Sequence, residues 1–82
     1  MKTILVIGAG REAIPGLQHA KAIGYRIVAT DGNPHAPGFA FTDAQLVVST
    51  YDTPATIWQA LHYHTSVRRI DAVMALAADV PV

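Results

Sequence analysis

The stretch Gly8-Ala9-Gly10-Arg11-Glu12-Ala13 governs the reading of this 82-residue chain. It follows the apolar run Thr3–Ile7 and opens a segment in which Ala13, Ile14, Leu17 and Ala20 recur at helical spacing. A continuous apolar run ended by glycine is typical of a strand covered on both faces. The pattern G-x-G-x-x-G/A between a strand and a helix is the dinucleotide-type fingerprint. Asp31 follows 23 residues after Gly8, at the end of the next strand. Each residue type has a physical reason to be there. Gly8 lets the chain turn sharply, and Gly10 lets a ligand approach the backbone. The amide groups opening the helix then face an anion. Ala13 and Gly16 let the helix lie close to the sheet. Pro15 is tolerated only in a first helical turn, whose amides lack intrahelical partners, so the helix begins just before it.

Working outward, strands and helices alternate, the signature of βαβ units on a parallel sheet. The first helix runs from about Glu12 to Ile23, with Gly24 as its stop. Arg26 to Thr30 forms the second strand, residues 32–41 a loop rich in proline and glycine, and Ala44 to Ser49 the third strand. Thr53-Pro54 signals a second helix, with a hydroxyl cap and proline in the first turn. Its spacing predicts burial of Ile57, Leu61 and either Trp58 or His64. Ala72 to Leu76 is the fourth strand, and Asp79-Val80-Pro81 resembles the start of another helix. Right-handed crossovers allow the strand order 3-2-1-4 with one helix on each face. The expected fold is therefore α/β, a Rossmann-like parallel sheet of about four strands forming a single domain over residues 1–82. The order reverses between strands 1 and 4, and ligands of such sheets sit at that switch point. Gly8 to Glu12 and Ala77 to Asp79 would flank it.

Composition narrows the function classes. Charged residues make up 15% of the chain, against about 25% for an average soluble domain. A small domain with much surface should be more polar than average, not less, so packing against a further domain or a second copy is expected. Six acidic and six basic residues give a formal net charge of zero, with no basic patch to suggest nucleic acid. Without cysteine there are no disulfides or thiolate metal sites. The apolar run after Met1 is too short for a signal peptide, and no stretch is long enough to span a membrane. A cytoplasmic protein is expected.

Beyond the fingerprint, Thr30-Asp31-Gly32-Asn33-Pro34-His35-Ala36-Pro37-Gly38-Phe39-Ala40 follows the second strand. Ser49-Thr50-Tyr51-Asp52 follows the third, and Ala77-Ala78-Asp79-Val80-Pro81-Val82 follows the fourth. From the first strand to Val82 the chain resembles the N-terminal, pre-ATP-grasp domain of ATP-grasp ligases. It is most similar to proteins grouped with carbamoyl phosphate synthetase large chains and phosphoribosylglycinamide synthetases. The resemblance implies that Gly8, Gly10, Arg11 and Glu12 line the site for an acceptor substrate, with Asp79 opposite and Asp31 and Asn33 at the rim. It also implies that ATP and magnesium belong to ATP-grasp domains absent from residues 1–82. Such a domain binds a small-molecule acceptor for a ligase forming C–N bonds but does not catalyse alone.

Two other readings fit the same residues. One is the first half of an NAD(P)-binding oxidoreductase domain, in which Asp31 would hold a ribose hydroxyl instead of capping its own loop. The other is a non-catalytic, self-associating module, a homodimer joined through an open sheet edge. His62 and His64 point about 200° apart on a helix, which argues against a shared metal ion. Arg68-Arg69 reads as a solvated pair before a strand. Trp58 and Tyr63 read as packing or interface residues.

Overall fold

The computed structural model describes residues 1–49 and 51–75. Its elements in chain order are strand β1 (Thr3–Ile7), a 3₁₀ turn (Arg11–Ala13), helix α1 (Ile14–Ala22) and strand β2 (Arg26–Asp31). A second 3₁₀ segment (Pro37–Phe41), strand β3 (Ala44–Val47), helix α2 (Thr53–Ser66) and strand β4 (Ala72–Ala75) follow. The sheet is parallel in the expected order β3-β2-β1-β4, one that right-handed crossovers allow. Register places Leu5 beside Val28 on one side and beside Val73 on the other. Leu76 and the helix start at Asp79 lie outside the described residues.

β1 and β2 are the sheet's centre because both of their faces are apolar and β-branched. Ile4, Val6, Ile27 and Ala29 point to one face, where they pack with Ala13, Leu17 and Ala20 of the first helical segment and with Phe39. Leu5 and Val28 point to the other, against Tyr63 of α2. Leu17 is wholly enclosed, so truncating it to alanine should cost about 2–5 kcal/mol. The helix after the glycine loop begins with the 3₁₀ turn and becomes regular at Ile14. Pro15 sits in its first turn, as its missing N–H requires.

Two details of α2 differ from the sequence expectation. The cap is Asp52, not Thr53: its Oδ1 accepts the Ala55 N–H at 3.1 Å, and its carbonyl accepts the Thr56 N–H. Aspartate caps better than threonine, so Thr53 becomes the first helical residue. The buried face is also rotated by one residue. Thr56 and Tyr63 are buried and Ala60 half-buried, while Ile57, Trp58, Leu61 and His64 are exposed. Small side chains at positions 56 and 60 let the helix settle on the sheet. The Thr56 hydroxyl donates to the Ser49 carbonyl at 3.1 Å, so its burial leaves no polar group unpaired.

The two edge strands enter the sheet by the same device. Before β3, the Asp43 N–H donates to the Ile27 carbonyl at 2.8 Å, while Asp43 Oδ2 accepts the Ile27 N–H at 2.8 Å. Before β4, the Asp71 N–H donates to the Thr3 carbonyl at 2.8 Å, and Asp71 Oδ2 accepts the Thr3 N–H at 2.8 Å. Each aspartate thus clamps both backbone groups of one residue on the neighbouring strand.

Candidate functional site

The carboxyl ends of β1 and β2 carry the glycine loop and the proline-rich loop, and short contacts join them. Gly8 adopts φ of 93°, a conformation that side chains disfavour, and its N–H donates to the Thr30 carbonyl at 2.9 Å. The next amide, Ala9 N–H, donates to Asp31 Oδ2 at 3.0 Å. Asp31 Oδ1 accepts the Asn33 N–H at 2.9 Å, and Asn33 Oδ1 accepts the His35 N–H at 2.9 Å. One carboxylate therefore ties two loops together, and the Asn33 side chain shapes the turn that follows. Of the two roles open to Asp31, organising the loops is the one its contacts display.

Gly38 completes the link. Its N–H donates to the Ala9 carbonyl at 2.7 Å, and a β-carbon at this position would lie 2.6 Å from that oxygen. Sequence reading placed Gly38 in a loop without giving it a role. Its signal was the dipeptide Pro37-Gly38, which marks a tight turn but not what the turn touches.

At the mouth of the loop, Gly10 precedes the 3₁₀ turn, and Arg11 and Glu12 are exposed. The Glu12 carboxylate folds back over Gly10, with Oε1 2.9 Å from where a β-carbon would be. The open face of the glycine loop thus meets a negative charge from its own chain. In this arrangement a phosphate approaching Gly10 would face like charge from the exposed Glu12 side chain. Gly8, Gly10, Arg11, Glu12, Asp31 and Asn33 come together on one side of the switch point. Asp79, expected opposite, lies outside the described residues.

Among the described residues no group of three or more His, Asp or Glu side chains is placed to hold a metal ion. His64 serves the backbone, its Nδ1 accepting the Ile70 N–H at 2.8 Å. No helix among the described residues is long and apolar enough to cross a membrane.

Comparison with solved structures gives this crevice its context. N5-carboxyaminoimidazole ribonucleotide synthetase from Thermotoga maritima superposes with a TM-score of 0.77 at 21% identity, over 98% of this chain and 20% of that one. An ADP complex of an N5-carboxyaminoimidazole ribonucleotide synthetase gives 0.76 at 26% identity, over 98% and 19%. Phosphoribosylglycinamide synthetase from Anaerococcus prevotii gives 0.68 at 21% identity, over 90% and 18%. No protein-family model matches the chain, nor does any curated protein. The structural neighbours are ATP-grasp ligases, and this chain has the fold of their N-terminal domain, as the sequence resemblance implied. It spans about one fifth of the length of the structures it matches.

Proposed function

We propose that this chain is the acceptor-binding N-terminal domain of a cytoplasmic ATP-dependent ligase that joins a carboxylate to an amine. The observation that carries the reading is the stitched crevice. Asp31 and Gly38 hold the glycine loop rigid while leaving Arg11 and Glu12 exposed at its mouth. In this reading Gly8, Gly10, Arg11 and Glu12 line the small-molecule acceptor, Asp31 and Asn33 fix the rim, and Asp79 approaches from the other side. ATP and magnesium would be held by ATP-grasp domains beyond this unit. The Glu12 carboxylate over Gly10 supports this assignment and weighs against an NAD(P)-binding half-domain, which needs that face for pyrophosphate.

Two measurements test the proposal. Calorimetry on the chain should detect no micromolar binding of ATP with magnesium or of NAD, because half a crevice leaves a nucleotide largely exposed. Micromolar affinity for NAD would establish the dehydrogenase reading instead. In a full-length relative, Glu12→Ala should raise KM for the acceptor at least several-fold and leave KM for ATP unchanged. Equal acceptor dependence with a lowered Tm would reduce Glu12 to a favourable acid near a helix start, worth about 0.3–1 kcal/mol.

A further inference from the structure

The turn between α2 and β4 hangs on one side-chain acceptor. His64 stands in the last turn of α2, and its Nδ1 accepts the Ile70 N–H at 2.8 Å. Beyond the helix the Val67 and Arg68 N–H groups both donate to the Tyr63 carbonyl, at 2.9 and 3.0 Å, which closes the end of α2. The chain then runs through Ile70 to Asp71, whose clamp on Thr3 sets the start of β4. His64 therefore holds the residue immediately before that clamp. Its acceptor is conditional. Only a neutral imidazole keeps a lone pair on one ring nitrogen, and a protonated ring donates from both. Histidine is also the side chain whose charge ordinarily changes between about pH 5 and 8.

The surroundings give a charged ring little reason to stay where it is. His64 is exposed, so protons reach it from solvent. The groove it lines is completed by Leu5 of β1, Ala60 and Leu61 of α2, Ile70, and Val73 of β4, none of them titratable. The charged groups nearby are Arg68 and Arg69 in the turn and Asp71 before β4, with Asp71 already bonded to Thr3 and paired with Arg69 at 3.3 Å. On α2 itself the neighbours are His62, exposed, and Tyr63, buried against Leu5 and Val28. Among the described residues His64 makes no ion pair. A protonated Nδ1 would point its hydrogen at that of Ile70, two donors face to face. The last carbonyls of a helix, by contrast, lack intrahelical partners and attract a cation. That attraction is of the same order as one neutral hydrogen bond, so the ring exchanges one partner for the other at little net cost.

We propose that His64 is a pH-operated latch on the entry to β4. The neutral ring holds the Ile70 N–H. When a proton from solvent takes the lone pair of Nδ1, the ring lets that N–H go to water and turns toward the carbonyls ending α2. The Asp71 clamp survives the exchange, because neither of its bonds to Thr3 involves the ring. The strand thus keeps its register while the turn ahead of it gains freedom. β4 is the neighbour of β1 at the point where the strand order reverses. The latch therefore gives acidity a route to one wall of the crevice without touching the crevice residues. The proposal is independent of the ligase reading, since it needs only α2, the turn and β4.

Heteronuclear NMR of the chain between about pH 8 and 5 supplies the test. Protection of the Ile70 amide, corrected for the intrinsic pH dependence of hydrogen exchange, should fall about fivefold, the worth of one ordinary hydrogen bond. The Ile70 amide shift should move in step with the His64 ring signals. Amides joining β1 to β2 should hold their protection, because the opening is local. His64→Asn keeps an uncharged acceptor near the same position, so its Ile70 amide should stay constant across the range. His64→Gln replaces it should the asparagine variant fail to melt cooperatively. Constant protection and shift at Ile70 in the wild-type chain would overturn the proposal. So would an equal fall in the asparagine variant, or a parallel fall at the β1–β2 amides, either of which would assign the effect to His19, His35 or His62.

Discussion

The two edges of this sheet begin alike and end differently. β3 and β4 each enter through an aspartate that clamps both backbone groups of one neighbour, Asp43 on Ile27 and Asp71 on Thr3. Beyond the clamp they diverge. Asp43 also pairs with Lys21 of α1 at 3.1 Å, and Gln45 Nε2 of β3 donates to the Phe39 carbonyl of the 3₁₀ segment. Among the described residues Asp71 forms its ion pair with Arg69, whose side chain is 82% exposed, and every residue of β4 is exposed. A clamp therefore sets where an edge strand starts, while cover from other elements decides how firmly it stays.

Breaking the covered edge should have the largest effect. Asp43→Ala strands the N–H of fully buried Ile27 and removes a charged acceptor, a loss of about 3 kcal/mol at neutral pH. For a domain of this size that lowers Tm by roughly 12–24 °C. The pH dependence follows from the same contacts. The backbone bond from Ile27, helped by Lys21, holds the Asp43 carboxyl below its ordinary value of 3.8. A carboxyl lowered in the folded state adds stability above the unfolded value, and that stability is lost as pH falls through the folded one. The gap between the thermal melts of wild type and Asp43→Ala should accordingly be full above about pH 5 and narrow as pH falls through the folded value below 3.8.

Asp71→Ala should cost less, about 2 kcal/mol, although it strands the equally buried Thr3 N–H. The bare strand can open locally, and the cost cannot exceed that opening. Hydrogen exchange should show the change concentrated in β4 and the outer side of β1. A uniform rise across the sheet would mean the two edges are not distinct. Gly38→Ala tests the cover itself. The new methyl meets the Ala9 carbonyl, and overpacking of this kind costs about 1–3 kcal/mol. The loss should appear with faster exchange at Ala9 and Asn33, because the stitched loops must separate. Smallest is His64→Ala, which removes the acceptor for Ile70 N–H at the turn before β4, about 1 kcal/mol. His64→Asn, with an oxygen near the position of Nδ1, should restore most of it.

The central strands were legible because their physics is local. Thr3–Ile7 is the strand the apolar run announces, bounded by Gly8, and β2 extends the expected range only by Asp31. With the strands in the order 3-2-1-4, crossover handedness puts one helix on each face. What escaped was side-chain choice between near-equal alternatives. The apolar stripe Ile57–Leu61 predicted one face of α2, but small residues at 56 and 60 allow a closer approach, and propensity gives no weight to that fit. The crevice was half legible. Gly8, Gly10 and Asp31 announced themselves by spacing, whereas Gly38 acquires its role only through a carbonyl 29 positions earlier in the chain. The twin clamps were readable in principle from Thr42-Asp43-Ala44 and Ile70-Asp71-Ala72, aspartates just before apolar strands. Their reciprocal bonds require the neighbouring strand to be in place.

The central position of β1 also has a kinetic consequence. β1 meets β2 after a connection of about 23 residues but meets β4 only after about 68. Closing the longer loop directly costs about 1 kcal/mol more in chain entropy than closing the shorter one. The β1–α1–β2 unit should consequently assemble first, with α2 and β4 docking afterwards onto a surface already formed. On a ribosome β1 would be made first yet wait until Ala72 and its neighbours had emerged before gaining its second neighbour. Refolding should show Asp71→Ala leaving the folding rate nearly unchanged and speeding unfolding, the pattern of a residue whose contacts form after the rate-limiting step.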